Sequence, residues 1–289
     1  MGQFYIAMTD TYGNLQSRFR AWALTQSSIR AVIIVGSQAR SDHPADEWSD
    51  LDLVVFATDT TAFLDNAAWL ETFGRVRLAV SHSFGAHDRE WLALYDDGRK
   101  LDVAFLSIDA HVLALQNILD AFPYPIVLQR GVRVLLDKTG SPETLQLPQL
   151  AVLPPDQIEF TTALQHMWFE AIKTAKFIRR ADLWRAKQLC DGDLKQHLLV
   201  MIEWQAATRG DVWYDGRFLS EWADRAVLAA LPDTFALYQA ADLQRALLAT
   251  LDLYRQLAQD VAAQFGFTYP VDTDRFVVEH IQTILRDNT

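Results

Sequence analysis

Cysteine is nearly absent from this sequence, and long apolar runs are missing altogether. Cys190 is the single cysteine in 289 residues, which excludes an intrachain disulfide and a cluster of thiolate metal ligands. The longest apolar stretches, such as residues 31–35 and 53–57, are far shorter than the roughly 20 residues that span a bilayer. The sequence therefore does not predict a membrane protein.

Basic residues are too few to favour a nucleic-acid partner. The 26 lysines and arginines stand against 37 aspartates and glutamates, which gives a net charge of −11, whereas a phosphate backbone is held by a basic surface. A small cationic substrate fits this charge better. The first five residues lack the basic segment and following apolar stretch of a secretory signal, so we expect a cytoplasmic protein.

The first half of the chain has the pattern of a β-sheet. Five short runs are rich in β-branched and other apolar residues, at 31–35, 51–57, 76–81, 91–95 and 101–106. Asp96-Asp97-Gly98 predicts an antiparallel hairpin between the last two runs, because glycine adopts the positive φ that tight turns need. We therefore predict a mixed sheet of about five strands, flanked by helices, in a first domain at residues 1–145.

The second half has helical patterning. Helices are predicted at residues 157–180, 183–189 and 194–207, followed by an amphipathic helix over 243–265 with Asp242 as its N-cap and Gly266 as its C-cap. Prolines at 142, 148, 154 and 155 oppose both helix and central strand, which predicts a linker over 141–155. The fold class is thus α+β, with a helical bundle at residues 150–289 as the second domain.

Gly36 and Ser37 directly follow the first predicted strand. This pair allows a sharp turn of the backbone and offers N–H groups and a hydroxyl to phosphate oxygens. Glycines in turns are frequent, however, so the pair alone is equally consistent with an ordinary turn.

Asp50 and Asp52 carry the more specific signal. Residues two apart on a strand point to the same face, so both carboxylates project together. Such like charges are unfavourable unless a cation lies between them, and Mg²⁺ prefers carboxylate and phosphate oxygens. The alternative is a solvated edge strand with one aspartate at its start.

Asp102 supplies a third carboxylate, within the apolar run at 101–106. An unpaired ionised group is costly to bury there. Strand alternation leaves a second possibility, in which Asp102 faces solvent together with Lys100 and Ala104. Three carboxylates on two strands, one pair of them preceded by a phosphate-type turn, form a more specific signal than any one part.

The combination resembles the active-site signature of the DNA polymerase β-like nucleotidyltransferase superfamily: Gly-Ser, a gap of about a dozen residues, Asp-x-Asp, and an aspartate on a later strand. More closely, the sequence is similar to the aminoglycoside 6-adenylyltransferases, also called streptomycin adenylyltransferases. The segments that carry this similarity are 36–40, 48–52, 96–102, 134–138 and 265–270. They span most of the chain, including its helical half.

The resemblance implies roles for these residues. Asp50 and Asp52 hold one or two Mg²⁺ ions against the triphosphate of ATP, while Ser37 and the Gly36 backbone bind its phosphates. Asp102 either takes the proton of the acceptor or serves as a further metal ligand; both roles need it ionised, and the sequence does not separate them.

Further cations are expected for the triphosphate. Residues 173–187 contain six basic residues against the single acid Asp182, namely Lys173, Lys176, Arg179, Arg180, Arg185 and Lys187. We interpret this run as the second domain's contribution to phosphate binding and favour Lys176 and Lys187, because the resemblance places basic residues there. A solvated helix face is the alternative. Arg40, four residues after Gly36, is a further candidate.

The function implied is transfer of AMP from ATP to a hydroxyl group of an aminoglycoside, streptomycin foremost, with release of pyrophosphate. Two alternatives stay open. The acceptor could be another aminoglycoside, a lincosamide or a protein side chain, with the same catalytic residues. The chain could also be a nucleotide-binding module that has lost the reaction, although the intact carboxylates speak against that. Neither nucleic acid nor membrane is expected as a partner.

Overall fold

The structure is a computed structural model that describes residues 5–83, 88–109, 111, 114–140, 145–147, 154–210 and 212–286, with side chains from residue 12 onward. The chain divides into two compact units, residues 1–150 and residues 151–289. Most of the linker predicted over 141–155 lies outside the described residues. None of the helices within these ranges has both the length and the apolar character needed to cross a membrane.

The first unit contains a six-stranded sheet with the strand order β3-β4-β5-β2-β1-β6. All five predicted strands are present, and four of them extend beyond the predicted bounds. The prediction missed β6. The strands are β1 (Ile29–Val35), β2 (Leu51–Ala57), β3 (Val76–Ser83), β4 (Arg89–Tyr95), β5 (Lys100–Ser107) and β6 (Arg133–Asp137).

Strand pairing confirms that the sheet is mixed. β2 runs antiparallel to β1, with Asp52 opposite Val35. It runs parallel to β5, with Leu51 opposite Leu101 and Asp52 opposite Asp102. Because parallel strands in register place equivalent residues side by side, the two aspartates are neighbours next to the end of β1.

The predicted hairpin between β4 and β5 is confirmed. The two strands are antiparallel, and the Tyr95 N–H donates to the Arg99 carbonyl at 2.9 Å to close the turn. Gly98 has a φ of +85°, which L-residues with side chains rarely adopt. This turn sets where β5 begins, at Lys100.

Apolar side chains cover both faces of the sheet. On one face, α1 contributes Leu15, Phe19 and Ala23 to a core with β1, β2 and β5. On the other face, Leu115 and Phe122 pack against the strands. The helices of this unit are α1 (Tyr5–Thr25), α2 (Thr61–Leu64), α3 (Leu115–Asp120) and α4 (Pro125–Leu128), with 3-10 turns at Gly36–Gln38 and Ala68–Phe73.

The second unit is helical around its own apolar core, as predicted. Its helices are α5 (Gln157–Arg179), α6 (Leu183–Gln188), α7 (Leu194–Ala206), α8 (Leu219–Trp222), α9 (Arg225–Ala230), α10 (Ala240–Phe265) and α11 (Val271–Leu285). A π-helical turn, Leu189–Asp193, joins α6 to α7 and buries Cys190. The core includes Phe160, Met167 and Leu251. Fold class α+β is confirmed.

The ends of α10 agree only partly with the sequence. Gly266 caps its C-terminus with a φ of +74°, as predicted. Asp242 as N-cap is wrong: the helix begins at Ala240 after an extended Gln239. The Asp242 carboxylate, in the first turn, instead accepts hydrogen bonds from the Leu237 N–H and from Arg245 Nε.

Candidate active site

Asp50, Asp52 and Asp102 lie at one end of the central strand pair. Asp52 alternates with buried Leu51 and Leu53 along β2, so its side chain points to the other face of the sheet from theirs. Asp102 lies beside it in the parallel register. Asp50 immediately precedes β2 rather than lying within it.

Lys100 joins two of these aspartates. Its Nζ donates to Asp50 Oδ2 at 2.7 Å and to Asp102 Oδ2 at 2.9 Å. Lys100 and Asp102 are two residues apart on β5 and share a face. Leu51 pairs with Leu101, so Asp50 continues the register beside Lys100. One ammonium group therefore bridges the two strands.

Negative charge exceeds positive charge in this cluster. Burial raises the pKa of Asp52 to about 6, the charges of Asp102 and Asp50 add to the rise, and Lys100 opposes it. Burial also raises the pKa of Asp102, against the hydrogen bond from Lys100. For Lys100, burial alone would lower the pKa, but its hydrogen bonds to Asp50 and Asp102 raise it above the usual value. The one ammonium group of Lys100 therefore neutralises only part of the negative charge of the three carboxylates.

The Gly36 bend lies against Asp52. Gly36 begins the 3-10 turn after β1 with a φ of +65°. A Cβ on this residue would lie 2.5 Å from Asp52 Oδ2, a distance that real Cβ atoms do not tolerate. Only glycine lets the backbone come this close to the carboxylate. Ser37, the next residue of the turn, is half-buried.

Arg40 lies in the loop that follows this turn. Its backbone N–H donates to the Gly36 carbonyl at 3.2 Å, and its Nε donates to the His43 carbonyl at 2.6 Å. Gly131 packs against the same loop, since a Cβ there would lie 3.0 Å from the Ala39 carbonyl oxygen. The Arg40 side chain is thus near the bend in sequence but engaged with its own loop.

Lys176 and Lys187 belong to the second unit. Lys176 is exposed near the end of α5. The Lys187 ammonium, on α6, contacts the Asp191 carboxylate and the Ala236 carbonyl. In the same basic run, Lys173 pairs with Glu170 at 2.7 Å. The run is therefore partly neutralised by local acids, and Lys176 is more accessible than Lys187.

The chemistry of the carboxylate cluster suits a hard divalent cation such as Mg²⁺, which takes oxygen ligands. Asp102 Oδ1 is buried and has no hydrogen-bond partner among the described residues, so its lone pairs are free for a ligand. In the described ranges, no three histidine, cysteine, aspartate or glutamate side chains are already arranged to hold a metal ion. The Lys100 ammonium instead lies between the carboxylates of Asp50 and Asp102.

Two charged residues of this site were not predicted from the sequence to belong to it. Lys100 is one; its spacing of two from Asp102 on a strand is the signal that could have revealed it. Glu90 on β4 is the other, and its charge helps to raise the pKa of Asp102 beyond the effect of burial. Glu90 pairs with Ala104, two residues beyond Asp102 on β5.

Comparison with known proteins finds relatives that match most of the chain. An aminoglycoside 6-adenylyltransferase from Bacillus subtilis (strain 168) is 24% identical over 280 residues, which cover 92% of this chain and 95% of that protein. One from Campylobacter jejuni is 22% identical over 264 residues, covering 86% and 88%. A crystal structure of an aminoglycoside 6-adenyltransferase from Bacillus subtilis matches 94% of this chain and 98% of its own at 19% identity, with a TM-score of 0.46.

The family described as streptomycin adenylyltransferase matches residues 11–284. This range includes the Gly36 bend, the three aspartates and most of both compact units. Since the match extends over nearly the whole sequence, the chain belongs to the streptomycin adenylyltransferase family of nucleotidyltransferases.

Proposed function

We propose that this protein transfers AMP from ATP to a hydroxyl group of an aminoglycoside, streptomycin foremost, with Mg²⁺ as cofactor. The observation that carries the proposal is the convergence of Asp50, Asp52 and Asp102 beside the Gly36 bend, in a chain of this family. The names of the relatives support the acceptor class. The net charge of −11 also suits a polycationic acceptor.

Asp50, Asp52 and Asp102 are the proposed Mg²⁺ ligands. Their excess negative charge and the unpartnered Asp102 Oδ1 support this assignment. When bound, Mg²⁺ neutralises triphosphate charge and favours departure of pyrophosphate. Catalysis then depends mainly on positioning, since an in-line transfer needs the acceptor hydroxyl held opposite the leaving group.

Asp102 is also the proposed general base, a role that needs an ionised carboxylate just as metal binding does. The acceptor oxygen attacks the α-phosphorus of ATP, the bond between that phosphorus and the bridging oxygen breaks, and pyrophosphate leaves with the electron pair. The hydroxyl proton passes to a carboxylate oxygen of Asp102, whose pKa burial raises above the ordinary range. A general base contributes typically about 10²–10⁴-fold to the rate.

Phosphate binding is assigned to both units. In the first, the proposed groups are the Gly36 backbone, the Ser37 hydroxyl and Arg40. In the second they are Lys176 and Lys187. Lys176 is exposed and available, whereas Lys187 would have to exchange its contacts with Asp191 and Ala236 for a phosphate.

Mass spectrometry of candidate acceptors tests the proposal. The protein is incubated with ATP, Mg²⁺ and, separately, streptomycin, a second aminoglycoside and a lincosamide, with Asp102→Asn as the inactive control. We expect one added AMP on streptomycin, only with Mg²⁺ and only in the wild type. AMP on the lincosamide alone would contradict the aminoglycoside assignment. Absence of product with every acceptor would contradict the activity.

A further inference from the structure

Lys100 joins the carboxylate of Asp50, which precedes β2, to that of Asp102 on β5. Its Nζ bonds one oxygen of Asp50 and one oxygen of Asp102. Its side chain is 39% exposed, whereas that of Asp102 is 17% exposed. The ammonium thus lies at the accessible edge of the cluster, with Asp102 deeper inside.

The guanidinium of the neighbouring residue, Arg99, has neither Asp50 nor Asp102 among its described hydrogen-bond partners. Arg99, in the turn before β5, donates to Asp97 at 2.6 Å and to the Phe73 carbonyl at 3.2 Å, which lie outside the aspartate cluster. The backbone N–H of Lys100 donates to the Tyr12 hydroxyl at 3.3 Å, which anchors the start of β5 to α1. The backbone at Lys100 is therefore fixed, while its four-carbon side chain can turn.

A lysine and a divalent cation cannot share these carboxylates without strong repulsion. Like charges about 4 Å apart interact strongly at the effective dielectric of a protein surface, and the oxygens that bind Lys100 belong to two of the proposed metal ligands. The lysine stem is long and flexible, and its end is partly solvated. The Lys100 side chain can therefore move its Nζ into water when a metal binds.

We infer that Lys100 is a built-in counter-ion, which stabilises Asp50 and Asp102 in the metal-free protein, gives them up when a divalent cation binds, and thereby weakens the protein's affinity for that cation. This inference rests on the proposed metal site at Asp50, Asp52 and Asp102. It differs from a purely structural ion pair in one respect: loss of a structural pair lowers stability and leaves metal binding unchanged or weaker, whereas loss of a competitor strengthens metal binding.

The test measures Mn²⁺ binding to the full chain by titration calorimetry, without ATP or antibiotic. Mn²⁺ is the probe because it takes the same oxygen ligands as Mg²⁺. Lys100→Gln is compared with the wild type and with Lys138→Gln. Lys138 is a matched control because its ammonium binds the carbonyls of Ala23, Leu24 and Gln26 in the same unit.

We expect Lys100→Gln to bind Mn²⁺ about tenfold more tightly than the wild type, to melt at a lower temperature without metal, and to gain more thermal stability on adding Mn²⁺. Lys138→Gln should bind Mn²⁺ like the wild type. Equal or weaker binding by Lys100→Gln, with normal binding by the wild type, would overturn the inference and leave the proposed function intact. Failure of both proteins to bind millimolar Mn²⁺ would also overturn the inference, whereas the proposed function is tested separately by the mass of the AMP-modified acceptor.

A second measurement needs no variant and therefore does not depend on folding of Lys100→Gln. Acylation of lysine amines in the wild type is followed by mass spectrometry of peptides, with and without Mn²⁺. Displacement of Lys100 predicts severalfold faster acylation of its amine in the presence of Mn²⁺, with no change at Lys138. An unchanged or slower rate at Lys100 under conditions where Mn²⁺ is bound would overturn the inference.

Discussion

A Cβ atom on Gly36 would lie 2.5 Å from Asp52 Oδ2, so the absence of a side chain at residue 36 fixes how closely the β1 turn approaches the carboxylate. The backbone at Gly36 also has a φ of +65°. Both features select glycine, one through contact and the other through conformation.

Gly36→Ala therefore is expected to move either the turn or Asp52 and to lower activity at least 100-fold, with about 1–3 kcal/mol of lost stability from the strained backbone. Gly98→Ala is the matched control, since Gly98 has a φ of +85° and no atom within 4 Å of a Cβ. It should lose comparable stability and keep its activity. Steady-state kinetics and urea unfolding measure the two effects; equal loss of activity in both variants would contradict the contact.

Asp52 is expected to destabilise the metal-free protein at neutral pH. Its pKa rises from 3.8 to about 6 on folding, first because of burial. The folded protein thus binds this proton more tightly than the unfolded chain, and the resulting stability is fully present below about pH 4 and lost as the pH rises through 6.

Asp52→Asn should accordingly be more stable than the wild type by roughly 1–3 kcal/mol at pH 8, and the difference should shrink toward pH 4. Urea unfolding with a chelator present measures it across this range. Asp96→Asn, which alters an exposed partner of Arg77, should show no such pH dependence. An Asp52→Asn variant less stable than the wild type at pH 8 would contradict the excess of negative charge.

The ion pair between Arg255 and Asp274 is expected to contribute strongly to the helical unit. Arg255 Nε and a terminal guanidinium nitrogen donate to Asp274 at 2.7–2.9 Å, and the Asp274 side chain is 3% exposed. Removing Asp274 takes away the buried partner of Arg255 and leaves it, among the described acids, only the exposed Asp252 at 3.8 Å, so Asp274→Ala should lose about 3 kcal/mol.

Asp272→Ala is the matched control on the first turn of the same helix, because Asp272 pairs with Arg275 while 96% exposed. Its unfolding midpoint should stay near that of the wild type. Thermal unfolding of the two variants measures the difference. Equal midpoints would show that the buried pair contributes no more to stability than the exposed one.

Lys176→Gln is expected to raise the KM for ATP about tenfold with little change in kcat, as for loss of a contact made equally to the bound nucleotide and the transition state. Lys173→Gln should change neither constant, because Lys173 is paired with Glu170 on the same helix. Initial rates at varied ATP separate the two constants. Normal KM in Lys176→Gln would leave this lysine on a solvated helix face.

Strong local patterns made parts of the fold predictable. β2 runs from Leu51 to Ala57, as predicted from its run of apolar and β-branched residues. β6, Arg133–Asp137, was missed because it is a short edge strand with little buried surface, defined by pairing with β1 about a hundred residues earlier. The N-cap of α10 was misplaced because Asp242 bonds Leu237 and Arg245, and sequence alone does not reveal which nearby donor a carboxylate takes.

In the candidate site, too, local patterns were predictable from the sequence and long-range contacts were not. Asp50, Asp52 and Asp102 were named because motif spacing and strand alternation are properties of the sequence. The bridge from Lys100 to Asp50 joins residues 50 positions apart and follows from the register of β2 and β5. The sequence does not encode such a register locally, so the lysine could be predicted only as a neighbour of Asp102 on its strand.

The most direct test is the rate of AMP transfer to streptomycin, followed by product mass, in Asp50→Asn, Asp52→Asn and Asp102→Asn beside Asp96→Asn as the control. If three carboxylates act as one unit on a divalent cation, each of the first three variants loses at least about 10³-fold in rate at saturating Mg²⁺, and the control matches the wild type. Activity within tenfold of the wild type in any of the three would contradict the proposed chemistry.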